Sequence, residues 1–320
     1  MGKSMEFKKP LASIHVSKQI MASKNFWLKY AKGLVSLIIK SFNAWIDHRG
    51  ASKGAALAFY TLFSLTPILI LVIAVAGYFF GNDAAQGQII RQIQSLVGPN
   101  GGQAIQALLA AARDPSGGLF ATIVATVLLI VGATSVFTEL KGSLDEVWET
   151  QKPTSSPISI LLKTHMLSFG LVLTLMFLLL ISLVVSTLLT VFQLYVGGIW
   201  SSSASLFATL SWVMSFSVIS CLFAVIYKML PDAPLSWSDV WIGSIFTAGL
   251  FSFGKFLIGF YLGNSGVASG FGAAGSIVAL LLWVYYSAQI FFLGAEFTRL
   301  YALNFGSLRP KKQSIKRGMY

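Results

Sequence analysis

The side chains able to do chemistry in this 320-residue chain are few and widely spaced. Its three histidines, His15, His48 and His165, have no second histidine, cysteine or carboxylate set at ligand spacing, so neither a metal centre nor a cofactor is expected. Cys221 is the single cysteine and lies in an apolar run, which excludes an internal disulfide. Neither a P-loop nor a G-x-S-x-G nucleophile motif occurs, which argues against ATP-driven pumping by this chain alone and against serine hydrolysis. The one acidic cluster, LDEVWE at 144–149, has lysines on both sides and reads as a solvated helix face. No catalytic residue is assigned, and the chain is not expected to be an enzyme.

The more informative ionisable groups sit inside apolar runs. Residues 273–302, AAGSIVALLLWVYYSAQIFFLGAEFTRLYA, carry no charge before Glu296, with Arg299 three residues on. About 20 apolar residues at ~1.5 Å each cross the ~30 Å hydrocarbon core, so this stretch reads as a membrane span. A carboxylate there is expensive unless it faces protein, water or a partner. Glu296 shares a helix face with Tyr285 and Gln289 and can meet Arg299. Lys255 is the other deep charge, on a face with Ser244, Ala248, Ser252, Gly259 and Gly263, where small residues admit a neighbouring helix. Lys255 and Glu296 are expected to differ in depth by roughly 20 Å and not to pair. They mark either two ends of a polar route or, more simply, a snorkelling lysine and a locally neutralised acid. A third polar set, Tyr60, Ser64 and Pro67, falls on one face of an uncharged stretch. There a proline frees the carbonyl one turn earlier, giving either a packing kink or the wall of a polar cavity.

The elements that must carry these residues follow from composition. With 55% hydrophobic and 11% charged residues and a mean hydropathy of +0.75, the chain cannot wrap a soluble core. The fold class expected is all-α, a polytopic membrane protein with about six transmembrane helices plus amphipathic interfacial helices. Uncharged stretches place spans at 54–82 and 115–138 and two more within 164–227 divided by the turn GGIWSSSAS at 197–205, and predominantly apolar stretches place a fifth at 237–262 and the sixth at 273–302. Residues 83–114 read as short amphipathic pieces split by GPNGG at 98–102. Phe26, Trp27, Tyr30, Leu34, Ile38 and Trp45 recur at helical spacing among lysines, which describes a basic helix in the headgroup region. The organisation expected is a basic cytoplasmic segment 1–50, a six-helix domain 51–303 and a basic cytoplasmic tail 304–320.

Segments along this framework carry a resemblance. AALAFYTLFSLTPILIL at 55–71, GATSVFTELKGSLDEVW at 132–148, LPDAPLSWSDVWIGSIFTAGLFSFGKFLIGFYL at 230–262 and GFGAAGSIVALLLWVYYSAQIFFLGAEF at 270–297 resemble, in order, the YihY/BrkB family of bacterial inner-membrane proteins. Phe271–Gly272 stands where the family has Tyr-Gly, and Asp145 where an Asn is expected before the Trp. The resemblance implies a multi-pass bacterial inner-membrane protein. It also brings a ribonuclease label once given to the family, and names linked to virulence.

Bases outside the spans set the orientation. If the N-terminus is cytoplasmic, the inner segments hold ten bases before residue 54, then Lys141, Lys152 and Lys163, Lys228, and six from Arg299 onward, against Arg91 and Arg113 outside. Both termini are therefore expected in the cytoplasm. The net charge of +12 then finds its partner in anionic lipid at the cytoplasmic surface and calls for no nucleic acid. Membrane lipids are the partners expected, and a homo-oligomer is compatible with the small-residue faces. Two functions fit: transport or handling of a lipid or other amphipathic envelope solute, or a non-transporting scaffold for envelope assembly. Phosphodiester cleavage wants clustered carboxylates with metal, or acid–base pairs, and the chain offers neither.

Overall fold

The computed structural model describes residues 33–112, 135–150, 203–264, 271 and 274–309, and among these every regular element is a helix. The spans expected at 115–138 and 164–197, the turn at 197–205, the PTSSP loop, His15, His165 and the tail beyond 309 lie largely or wholly outside the described residues.

Helix α1 covers 33–47. Val35, Ile38, Ile39, Phe42 and Ile46 recur at three- and four-residue steps and are exposed, while Leu37 and Ser41 on another face are buried. An apolar stripe left open on a short helix suits one lying in the interface, its other face on the bundle. The chain then turns through Arg49, at φ 53° and ψ 42°, into α2, Gly50–Phe80. Gly50 allows the approach of the Trp45 indole, which a Cβ would meet at once.

Helix α2 carries Pro67 in its middle and stops at Gly81, whose φ of 84° suits glycine. Helix α3, Asn82–Ala112, is two helices merged across Gly98, at φ 82° and ψ 173°, with Pro99 opening the second. The GPNGG break thus falls where its residue types place it. Both halves of α3 pack on α2 and α7 through Leu69, Ile73, Ile90, Ile105, Leu109 and Leu280. Helix α4 occupies 135–147. Its Leu140, Leu144 and Val147, followed by Trp148, sink into the main apolar core.

Three long helices follow: α5, Ser203–Met229; α6, Trp237–Asn264; and α7, Gly275–Asn304. Among the described residues these three are long and apolar enough to cross a membrane, at Thr209–Met229, Trp237–Leu262 and Gly275–Asn304. Each begins and ends within a few residues of the apolar stretch that predicts it. Helices α6 and α7 run antiparallel and touch through residues with little side chain. The Thr298 hydroxyl lies where a Cβ of Gly243 would be, Thr247 meets Gly294 likewise, and Gly254 meets Ile290 and Tyr286. Both threonine hydroxyls donate to carbonyls four residues back, Thr247 to Gly243 and Thr298 to Gly294, each at 2.7 Å. Close contact of this kind is how membrane helices adhere without a hydrophobic drive between them. Helix α5 joins through Tyr227, whose hydroxyl donates to the Phe291 carbonyl at 2.7 Å amid Phe223, Phe251 and Phe291.

Candidate functional site

Helix α7 lies against α2, α3 and α6, and its polar face is where the fold gathers its buried charge. Glu296 is fully buried. Its carboxylate meets the His48 Nδ1 at 2.5 Å on one oxygen and the Arg299 guanidinium at 3.6 Å on the other. Arg299 also pairs closely with Glu149, which in turn lies 3.7 Å from His48 Nε2. Lys53, buried at the first turn of α2, reaches Glu146 at 2.9 Å and donates to the His48 carbonyl. Three bases and three acids from the α1–α2 turn, the end of α4 and the end of α7 thus form one network. Among the described residues the two left-handed non-glycine positions, Arg49 and Glu149, sit in or beside it.

The same end of the bundle is tied twice more. Lys141 bridges Asp145 at 2.8 Å and Asp232 at 2.9 Å, and the Asp232 amide donates to Asp145 at 2.9 Å. Asp145, the departure from the expected Asn, therefore joins α4 to the α5–α6 turn. Burial disfavours the Lys141 ammonium, but the hydrogen bonds and charges of Asp145 and Asp232 together outweigh it and hold the group above its ordinary range. Asp239, near the start of α6, accepts from the Ser307 amide at 2.9 Å and hydroxyl at 2.5 Å.

Of the residues singled out in the sequence, Glu296 and Arg299 do meet. Gln289, seven residues before Glu296 on the same face, packs on Gly54 of α2, and both polar atoms of its amide are buried without a hydrogen-bond partner among the described residues. Tyr285, one turn further, is half-buried. Lys255 is half-buried on α6 and has no part in the Glu296 network. Tyr60 is half-buried, and Ser64 is buried with its hydroxyl donating to the Tyr60 carbonyl at 2.9 Å. Pro67 follows within the same helix. Sequence reasoning missed His48, Lys53, Glu146 and Glu149. The acids of 144–149 are partly exposed, as a solvated face would be, yet Glu146 and Glu149 pair with bases on other elements and Asp145 with Lys141 on its own helix. Among the described residues, no three metal-ligating side chains are placed to hold an ion.

Apolar helices of spanning length, a buried polar strip on α7 and charges gathered at one end define a polytopic α-helical membrane protein. A family profile described as Virulence factor BrkB matches residues 41–317, and the chain belongs to that family. It is similar to the ribonuclease-like protein YfkH of Bacillus subtilis, 25% identical over 288 residues, covering 83% of this chain and 95% of that one. It is also similar to a UPF0761 membrane protein of Pseudomonas aeruginosa, 26% identical over 256 residues and 78% of this chain. There it spans 59% of the relative's length. No solved structure matches.

Proposed function

We propose that the protein transports or otherwise handles a lipid or another amphipathic envelope solute in the bacterial inner membrane, with both termini in the cytoplasm. The observation that carries the reading is Gln289. A carboxamide with no partner is costly to bury in a helix pair, by about 1–3 kcal/mol. A span selected only for anchoring would replace it with Leu. Gln289 stands roughly 10 Å along α7 from Glu296, between Tyr285 and the ion-paired end, so the strip offers hydrogen bonds at two depths of an apolar bundle. The excess of bases on the segments of the network end supports the orientation, with six spans over 51–303 between basic segments 1–50 and 304–320.

The test is reconstitution of the full chain in proteoliposomes with fluorescent lipid, comparing native protein with Gln289→Leu. Transfer lost at unchanged insertion, with a melting temperature equal to or above native, is expected, and equal transfer by the variant would refute the role of the strip. The second reading, an assembly scaffold, is favoured by the network itself, which ties several segments into one rigid end. It requires that Gln289→Leu leave envelope complementation intact.

A further inference from the structure

Between the first turn of α2 and one face of α4 lies a cleft of about 520 Å³, lined by Arg49, Ser52, Lys53, Glu139, Ser143 and Glu146. That volume is of the size that holds small ligands. Its charges are of two kinds. Lys53 and Glu146 neutralise one another at 2.9 Å. Arg49 has no ion pair among the described residues, and Glu139 has only the Ser143 hydroxyl, at 3.3 Å. The cleft therefore presents one uncompensated cation from the start of α2 and one uncompensated anion from α4, with the Ser52 and Ser143 hydroxyls in the same lining. A ligand of a single sign would satisfy one group and be repelled by the other, whereas a zwitterion satisfies both.

An apolar feature continues from the same place. Phe59, Phe63 and Ile70 follow Ser52 by seven, eleven and eighteen residues, which at ~100° per residue puts all four within about 20° of one line along α2. The three apolar side chains are 56%, 60% and 37% exposed. A soluble zwitterion has no use for such a stripe, and an acyl chain does.

We propose that this cleft binds the headgroup of a zwitterionic phospholipid bearing a phosphate and a primary ammonium. The Arg49 guanidinium takes the phosphate through its fork of donors, Glu139 takes the ammonium, and an acyl chain lies along Phe59, Phe63 and Ile70. The assignment rests on the lipid-handling reading above and supplies its substrate class.

The experiment titrates the full-length protein in detergent with phosphatidylethanolamine, phosphatidylcholine, phosphatidylglycerol or soluble glycerophosphoethanolamine, reading the dissociation constant from intrinsic fluorescence and native mass spectrometry. Phosphatidylethanolamine is expected to bind at least tenfold tighter than phosphatidylglycerol and than the soluble headgroup. Arg49→Gln should weaken it about tenfold, with Arg49→Lys within threefold of native as the control for folding. Glu139→Gln should weaken phosphatidylethanolamine about tenfold while leaving phosphatidylglycerol unchanged or tighter. A preference for phosphatidylglycerol in the native protein overturns the zwitterion assignment and leaves lipid handling standing. Binding of the soluble headgroup as tightly as the lipid overturns the acyl stripe, and binding of none of the lipids removes both readings.

Discussion

Replacing Glu296 by Gln is the perturbation whose size the structure fixes best. The side chain is 1% exposed and faces His48 at 2.5 Å and Arg299 at 3.6 Å. Removing one member of a buried ion pair costs about 3–5 kcal/mol when the other charge is left uncompensated. Here both partners retain Glu149, whose own side chain is 62% exposed, so the loss falls toward the worth of a charged hydrogen bond, about 2–3 kcal/mol. At ~2.1 cal/mol/K per residue, 320 residues unfold with ~0.7 kcal/mol/K, so the melting temperature should drop by roughly 3–5 °C. The assay is thermal denaturation in detergent, run as a double-mutant cycle with His48→Gln. A coupling of about 1–3 kcal/mol between the two sites is expected. Glu146→Gln is an internal comparison: Glu146 is 61% exposed, but its buried partner Lys53 keeps only the His48 carbonyl, so its loss should cost about 1–3 kcal/mol. A Glu296→Gln protein melting within 1 °C of native would show that the network carries no stability, additive losses in the cycle would show that the two residues act independently, and either result would refute the reasoning.

Lys255→Met should abolish lipid transfer in the same proteoliposomes at normal abundance if the lysine marks the outer end of a polar route, and full transfer would leave it as an anchor. A reporter fused after Tyr320 should behave as cytoplasmic and a cysteine within 264–269 should be labelled from outside, and protection of that loop would reverse the orientation. Lys141→Met should lower stability by about 1–2 kcal/mol near neutral pH. Because the folded Lys141 holds its proton above the ordinary 10.5, its contribution is complete below that pH and fades as pH rises through the folded value, so native and variant melting curves should converge only at higher pH. Convergence already at pH 8 would exclude the Asp145–Lys141–Asp232 bridge as the cause.

The spans at the C-terminal end were legible because lipid leaves one option for a long apolar run, a helix whose backbone bonds are all internal. Hence α5, α6 and α7 agree with hydropathy to within a few residues, and the glycines at 81 and 98 interrupt α2–α3 where positive φ is required. The neighbour of Glu296 was legible on its own helix, three residues away at Arg299. Its stronger partner was not, since His48 is separated by 248 residues and lies in a basic segment that reads as surface. Nor does a sequence distinguish an acid solvated by water from one paired across helices, as Glu146 and Glu149 are. Depth gave no signal either: counted from the expected span ends, His48 lies about two turns outside the first span and Glu296 about two turns inside the last.

The turn at Arg49 connects the two halves of the functional argument. A non-glycine residue in the left-handed region is disfavoured by about 1–2 kcal/mol and persists where surrounding contacts over-determine it. At φ 53° the chain turns, and His48 meets Glu296 while the next residue, Arg49, lines the cleft against α4. A helical conformation there would turn Arg49 by ~100° from His48 on a continuous α1–α2 rod and carry α1 away from the bundle. The His48–Glu296 contact locks this turn to α7. Loosening that lock through Glu296→Gln should therefore weaken ligand binding at Arg49, although Glu296 does not line the cleft.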